Sequence, residues 1–168
     1  MKRLHLHLPS EQATCDLARA MAPRFLADDW LLLEGVMGAG KTTFTRALVA
    51  ALDGQADAVS SPSYALMNVY EARLPVWHVD AWRMQGDEDF AALGLEDMAQ
   101  GGLVVVEWPS RIPALDSMRA WHLQIQSQGG DERLATLSVP RLADRNAVYA
   151  DLDVCGTAII QREDALGE

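Results

Sequence analysis

The segment Gly35-Val36-Met37-Gly38-Ala39-Gly40-Lys41-Thr42-Thr43 constrains this chain more than any other. It satisfies the pattern of glycine, four residues, glycine, lysine and a hydroxyl residue, in which backbone N–H groups wrap around a polyphosphate. Gly35, Gly38 and Gly40 allow the close approach and unusual dihedrals of such a loop. Lys41 is placed to reach the β- and γ-phosphates, and the Thr42 hydroxyl to bind Mg²⁺. The flanks agree with the motif. Trp30-Leu31-Leu32-Leu33-Glu34 reads as a buried strand, and Lys41 to Leu52 carries Phe44, Leu48 and Ala51 at helical spacing before Asp53-Gly54. Strand, glycine turn and helix therefore follow in the order that aims a helix N-terminus at an anion.

A chain of 168 residues is expected to form one domain, and 49% hydrophobic with 23% charged residues suits a folded protein. The formal net charge is −10, and only Lys2 and Lys41 of the fourteen basic residues are lysines. A domain this acidic repels nucleic-acid backbones, so no independent DNA binding is expected and any action on RNA requires a partner to hold it. Cys15 and Cys155 lie far apart and form neither a disulfide framework nor a zinc pattern. The alternating N-terminus from Met1 to Leu8 is unlike a signal peptide, and no segment is long enough for a membrane span. The expected location is cytoplasmic.

Leu4, Leu6 and Leu8 predict a first strand. Ser10 is a candidate N-cap for a helix from Glu11 to Leu26, with Leu17, Ala18, Met21 and Leu26 at apolar positions and Pro23 able to shorten it. After the phosphate-loop helix, Val59 to Tyr64 is rich in hydroxyls. Ser61-Pro62-Ser63-Tyr64 suits either a plain turn or a segment that responds to a γ-phosphate. Leu66–Tyr70 and Val76–Asp80 predict a hairpin. His78 and Asp80 share a face, with Asp80 at the carboxyl end where open α/β sheets bind ligands; a surface polar pair or a core histidine fits equally well.

A short helix is predicted from Asp87 to Leu95. Leu103-Val104-Val105-Val106-Glu107 is a buried strand ended by a carboxylate, as in the metal-holding element of phosphate-loop enzymes. Trp108 suits base stacking, a partner contact or packing. Ala120–Ile125 and Leu134–Val139 predict an antiparallel hairpin around Gly129-Gly130. Beyond Pro140, Val148 to Ile160 has no clean period, and Gln161 to Glu168 reads as a mobile polar tail. The expected division is a phosphate-loop domain over residues 1–140 and an extension over 141–168 without assigned role.

Taken together, Leu33-Glu34-Gly35 with Gly38 to Thr43, Ser61-Pro62-Ser63-Tyr64, His78-Val79-Asp80-Ala81-Trp82-Arg83, Gly94-Leu95-Glu96-Asp97 and Glu107-Trp108-Pro109 closely resemble the TsaE family. TsaE is the ATPase component of bacterial tRNA threonylcarbamoyladenosine (t6A) modification. The resemblance covers positions 10 to 140. It implies a phosphate-loop NTPase fold of α/β class: a mixed, mainly parallel central sheet with flanking helices and a C-terminal antiparallel hairpin. It also implies ATP and Mg²⁺ as ligands, with TsaB and TsaD as partners and tRNA reached indirectly through that complex.

By the same resemblance, Thr42 and Glu107 are metal-site residues and Asp80 is needed for hydrolysis, with Lys41 and Glu107 also catalytic. Nucleotide binding falls to Gly35, Met37, Gly38, Ala39, Gly40, Lys41, Thr42 and Thr43, with Thr14 and Trp108 nearby. The family often has Asp-Leu at Val36-Met37, Thr-Phe at Ser63-Tyr64 and Tyr at Trp82. Outside the family, the competing readings are a small-molecule kinase and a nucleotide-dependent binding switch with little turnover.

Overall fold

The computed structural model describes residues 3–62, 64–154 and 159–163. Its strands are β1 (Arg3–Leu8), β2 (Trp30–Glu34), β3 (Met67–Tyr70), β4 (Val76–Asp80), β5 (Leu103–Glu107), β6 (Trp121–Gly129), β7 (Glu132–Ser138) and β8 (Ile159–Glu163). Its α-helices are α1 (Glu11–Met21), α2 (Lys41–Ala51), α3 (Asp87–Ala91), α4 (Leu95–Met98) and α5 (Leu142–Val154). The strands form one sheet in the order β3-β4-β5-β2-β6-β7-β1-β8. Neighbours among β4, β5, β2 and β6 are parallel, and the other pairs are antiparallel. The expected mixed α/β architecture is present, with both predicted hairpins.

Why the central strands read as unbroken apolar runs is clear from their two faces. Leu31, Leu33 and Val105 join a core that also holds Leu17 and Met21 of α1 and Phe44 and Leu48 of α2. Leu32, Val104 and Val106 join a second core with Met84, Leu95, Ile112 and Leu115. Strands covered on both sides need apolar residues at every position.

Local capping fixes α1: Ser10 Oγ accepts the Ala13 N–H at 3.2 Å. The helix stops at Met21 and tightens into a 3₁₀ turn over Ala22–Arg24, so Pro23 does shorten it. Leu26 therefore lies outside the helix, 57% exposed, and not on the apolar face expected for it. The helix predicted over Asp87 to Leu95 is α3, which ends at Ala91; Gly94, with φ of +66°, then starts a second short helix, α4, that the sequence pattern does not predict.

The segment after Pro140, expected to lack a regular element, forms α5 and β8. Val148 and Leu152 of α5 are fully buried in the core that contains α1. Arg141 fastens the start of this segment. Its guanidinium donates to both carboxylate oxygens of Asp29, at 2.9 and 2.8 Å, to the Arg24 carbonyl at 2.8 Å, and to Asp144. Hydrogen bonds to Asp29 hold its pKa above the ordinary arginine value. Residues 142–154 thus share the main core with residues 1–140. Cys155, Ser63 and the last five residues of the tail lie outside the described residues. Among the described residues, no helix is long and apolar enough to cross a membrane.

Candidate nucleotide-binding site

The loop from Gly35 to Gly40 leaves the carboxyl end of β2 and enters α2. Gly35 is required by space: a Cβ there would lie 2.6 Å from the Ile125 carbonyl oxygen of β6. Gly38 and Gly40 have φ of +79° and +106°, in the left-handed region that other residues enter at a cost. Gly40 occupies the N-cap of α2 and supplies no side-chain cap, so the first N–H groups of the helix remain available for an anion.

Lys41 is buried, 6% exposed, and its ammonium folds back over the loop. Nζ donates to the Gly35 carbonyl at 2.6 Å and the Val36 carbonyl at 3.2 Å. It also lies 3.9 Å from Glu107 Oε2 and 4.3 Å from the centre of the Trp108 ring. Burial lowers the Lys41 pKa below its ordinary value, opposed by the charges of Glu107, Asp80 and Glu34. An ammonium in this position gains from any additional negative charge brought to it.

The two acids come from adjacent parallel strands, where Asp80 and Glu107 are register partners at the carboxyl ends of β4 and β5. Both are buried, at 4% and 3% exposure. Asp80 Oδ1 accepts the Trp82 N–H at 2.9 Å. Glu107 Oε1 lies 2.8 Å from His78 Nε2, so His78 is a buried histidine tied to a site carboxylate rather than a surface polar residue. Trp108 takes a left-handed backbone with φ of +58°, its N–H reaching the Leu33 carbonyl at 3.3 Å. Its ring packs on Trp82 with centroids 4.5 Å apart, and Arg111 covers Trp82 at 4.4 Å. This strained turn sets the indole beside Lys41.

A cavity of about 440 Å³ brings these groups together. Of the residues singled out from sequence, it is lined by Met37, Gly38, Gly40, Lys41, Thr42, Thr43, Asp80, Glu107 and Trp108. Gly35 and Ala39 shape the loop without lining the cavity. Thr14 is buried at the side of a small adjoining recess shared with Gly40 and Thr43. Hollows of similar or larger volume lie elsewhere, against Trp30 and Leu95 and against His122 and Gln124, but neither includes the phosphate loop. Val36 and Met37, which replace the Asp-Leu common in the resembled family, are 62% and 80% exposed at the loop tip.

Two lining residues were not identified as site residues from sequence, Ser61 and Arg133. Ser61 belongs to the hydroxyl-rich segment already noted. Arg133 is carried by β7, and its Nε donates to the Ala39 carbonyl at 2.8 Å. The available signal was alternation: Arg133 continues the inward-facing set of Ala135 and Leu137, an unusual place for a charge.

Residues 8–135 match the family model described as threonylcarbamoyl adenosine biosynthesis protein TsaE. Among curated relatives, the tRNA threonylcarbamoyladenosine biosynthesis protein TsaE of Rickettsia conorii is 30% identical, over 77% of this chain and 75% of its own. The protein of the same name from Bacillus subtilis is 33% identical, over 82% of this chain and 87% of its own. The crystal structure of YdiB from Bacillus subtilis superposes with a TM-score of 0.69 at 25% identity, covering 94% of this chain and 99% of that one. With the family match spanning most of the described fold and its phosphate loop, the chain belongs to the TsaE family of threonylcarbamoyl adenosine biosynthesis proteins.

Proposed function

We propose that this protein is a cytoplasmic, Mg²⁺-dependent ATP hydrolase that supports t6A modification of tRNA together with TsaB and TsaD. The observation that best supports this reading is the register of β4 and β5, which sets Asp80 beside Glu107 in the cavity that Lys41 also lines. A cation and two strand-end carboxylates around a phosphate loop are the parts that phosphoryl chemistry uses.

The donor set suits Mg²⁺. Thr42 and Glu107 offer oxygen ligands, and among the described residues no group of three or more His, Cys, Asp and Glu side chains could hold a metal by itself. A hard cation that keeps waters and takes substrate phosphates needs only such partial protein coordination. When bound, the ion neutralises charge that builds on the phosphate oxygens.

The chain's own residues supply the rest of the chemistry. The loop N–H groups and the α2 N-terminus bind the polyphosphate, and Lys41 leaves the Gly35 and Val36 carbonyls to contact it. Glu107, held through Oε1 by His78, keeps Oε2 3.9 Å from Lys41 Nζ and would offer an oxygen to the metal. Asp80 orients the attacking water and takes up its proton. In this reading Trp108 excludes solvent above Lys41 and packs on the nucleotide side of the site. The acidic surface accords with a factor that reaches tRNA only through protein partners.

Equilibrium binding of ATP with and without Mg²⁺, followed by product analysis, tests this function. ADP and inorganic phosphate in equal amounts are expected. A phosphorylated small molecule would indicate a kinase, and tight binding without product would indicate a switch.

A further inference from the structure

We infer that Arg133 is a positioning residue that holds the phosphate loop in its ligand-ready shape from the β6–β7 hairpin. The inference rests on the ATP-binding reading above and adds a residue that reading does not use. The four carbonyl contacts of the guanidinium divide between two pieces of chain. Nε donates to the Ala39 carbonyl at 2.8 Å, and Nη2 makes a longer 3.5 Å contact with the Gly38 carbonyl. Nη1 donates to the carbonyls of Gly130 and Glu132, at 2.6 and 2.9 Å. One planar fork therefore joins the phosphate loop to the turn of the hairpin.

The joint acts on the glycine-rich half of the loop. Gly38 and Gly40 flank Ala39, which carries the first bonded carbonyl, and Gly38 itself carries the second; both glycines occupy left-handed dihedrals that glycine leaves and enters freely. In a trans peptide the carbonyl and the next N–H point in opposite directions. The Ala39 N–H is already donated to the Val36 carbonyl at 3.0 Å, and the contact with the Gly38 carbonyl acts on the same peptide. Holding the Ala39 carbonyl toward β7 fixes the direction of the Gly40 N–H. A second support lies at the loop's entrance, where Gly35 abuts the Ile125 carbonyl of β6. The hairpin thus braces both ends of the loop. Because most guanidinium donors are already bonded to carbonyls, Arg133 serves placement of the loop and not direct stabilisation of a transferring phosphoryl group. Lysine cannot reproduce the planar, divided contact.

The test compares the full-length protein with Arg133→Ala and Arg133→Lys. Binding of the fluorescent nucleotide mant-ATP with Mg²⁺ is measured alongside kcat, KM and thermal midpoint. Wild-type binding is established first, since its absence would overturn the ATP reading itself and this inference with it. Given wild-type binding, Arg133→Ala is expected to raise Kd and KM by about tenfold or more, with kcat at saturation within about threefold. Arg133→Lys should fall between the two. Unchanged affinity in either folded variant would overturn the inference, as would a change in thermal midpoint without a change in KM. A hundredfold loss in kcat at unchanged KM would also overturn it, by assigning Arg133 to the reacting phosphate. If Arg133→Ala does not fold, Arg133→Lys and Arg133→Gln carry the same comparison.

Discussion

His78 Nε2 lies 2.8 Å from Glu107 Oε1, and both side chains are buried. His78 Nδ1 is also buried and has no hydrogen-bond partner among the described residues. The arrangement places Nε2 to donate its hydrogen to the carboxylate. His78 thereby fixes which oxygen of Glu107 faces the cavity. Replacing it by leucine leaves a buried carboxylate oxygen unpaired, at about 1–3 kcal/mol. We expect His78→Leu to weaken the apparent Mg²⁺ affinity by about 10- to 100-fold, and His78→Gln, which retains a donor, to recover part of it. Mg²⁺ titrations of mant-ATP binding and of hydrolysis check this; equal Mg²⁺ affinity in all three proteins would remove His78 from the site.

Lys41 and Asp80 should separate binding from chemistry. Lys41→Ala removes the buried cation that faces the loop and is expected to abolish ATP binding at concentrations that saturate the wild type. Asp80→Ala should leave ATP affinity within about threefold and lower turnover by about 10²- to 10⁴-fold, the range for loss of a positioned base. Binding measured by fluorescence and phosphate release measured on the same samples distinguish them. Undiminished turnover in Asp80→Ala would take that residue out of the mechanism.

How much of this site could be read from sequence differs from residue to residue. The phosphate loop was legible because its strand, glycines and helix are contiguous and each is constrained locally. That Asp80 and Glu107 adjoin was not legible, because the register of two strands separated by α3 and α4 is set by sheet pairing and not by neighbouring residues. His78 was visible only as a residue sharing a face with Asp80; its bond to Glu107 depends on the same register. Helix α5 was missed because the residues from Val148 onward show no clean apolar period: Val148 and Leu152, both buried, are interspersed with Asp151 and Asp153 in the sequence. Leu26 was misassigned for a simpler reason: Pro23 ended α1 before reaching it.

Helix α5 gives a stability prediction. Leu152 is fully buried against the main core, so Leu152→Ala should cost about 2–4 kcal/mol through lost burial and a residual cavity. Urea unfolding monitored by tryptophan fluorescence should show the corresponding fall in midpoint at an unchanged slope. A change below about 0.5 kcal/mol would mean that α5 is not integral to the core in solution.

His122 predicts a pH dependence. Burial, reinforced by the charge of Arg3, pushes its pKa below 6.5, opposed by the Met118 carbonyl and by Asp116. In the window between that folded value and 6.5, the unfolded chain binds more protons than the folded one, so stability rises with pH. Acidification below 6.5 should therefore destabilise the protein progressively until the folded pKa is passed. His122→Gln should flatten the part of the profile that lies below pH 6.5 in urea titrations. An identical slope in the variant would assign the dependence to other groups.

The most direct test of the central claim is phosphate release from MgATP by the purified protein, alone and after addition of TsaB and TsaD shown to be active. The account predicts slow basal release that is lost in Asp80→Ala and rises when both partners are present. ATP binding with no phosphate release under any of these conditions would contradict it.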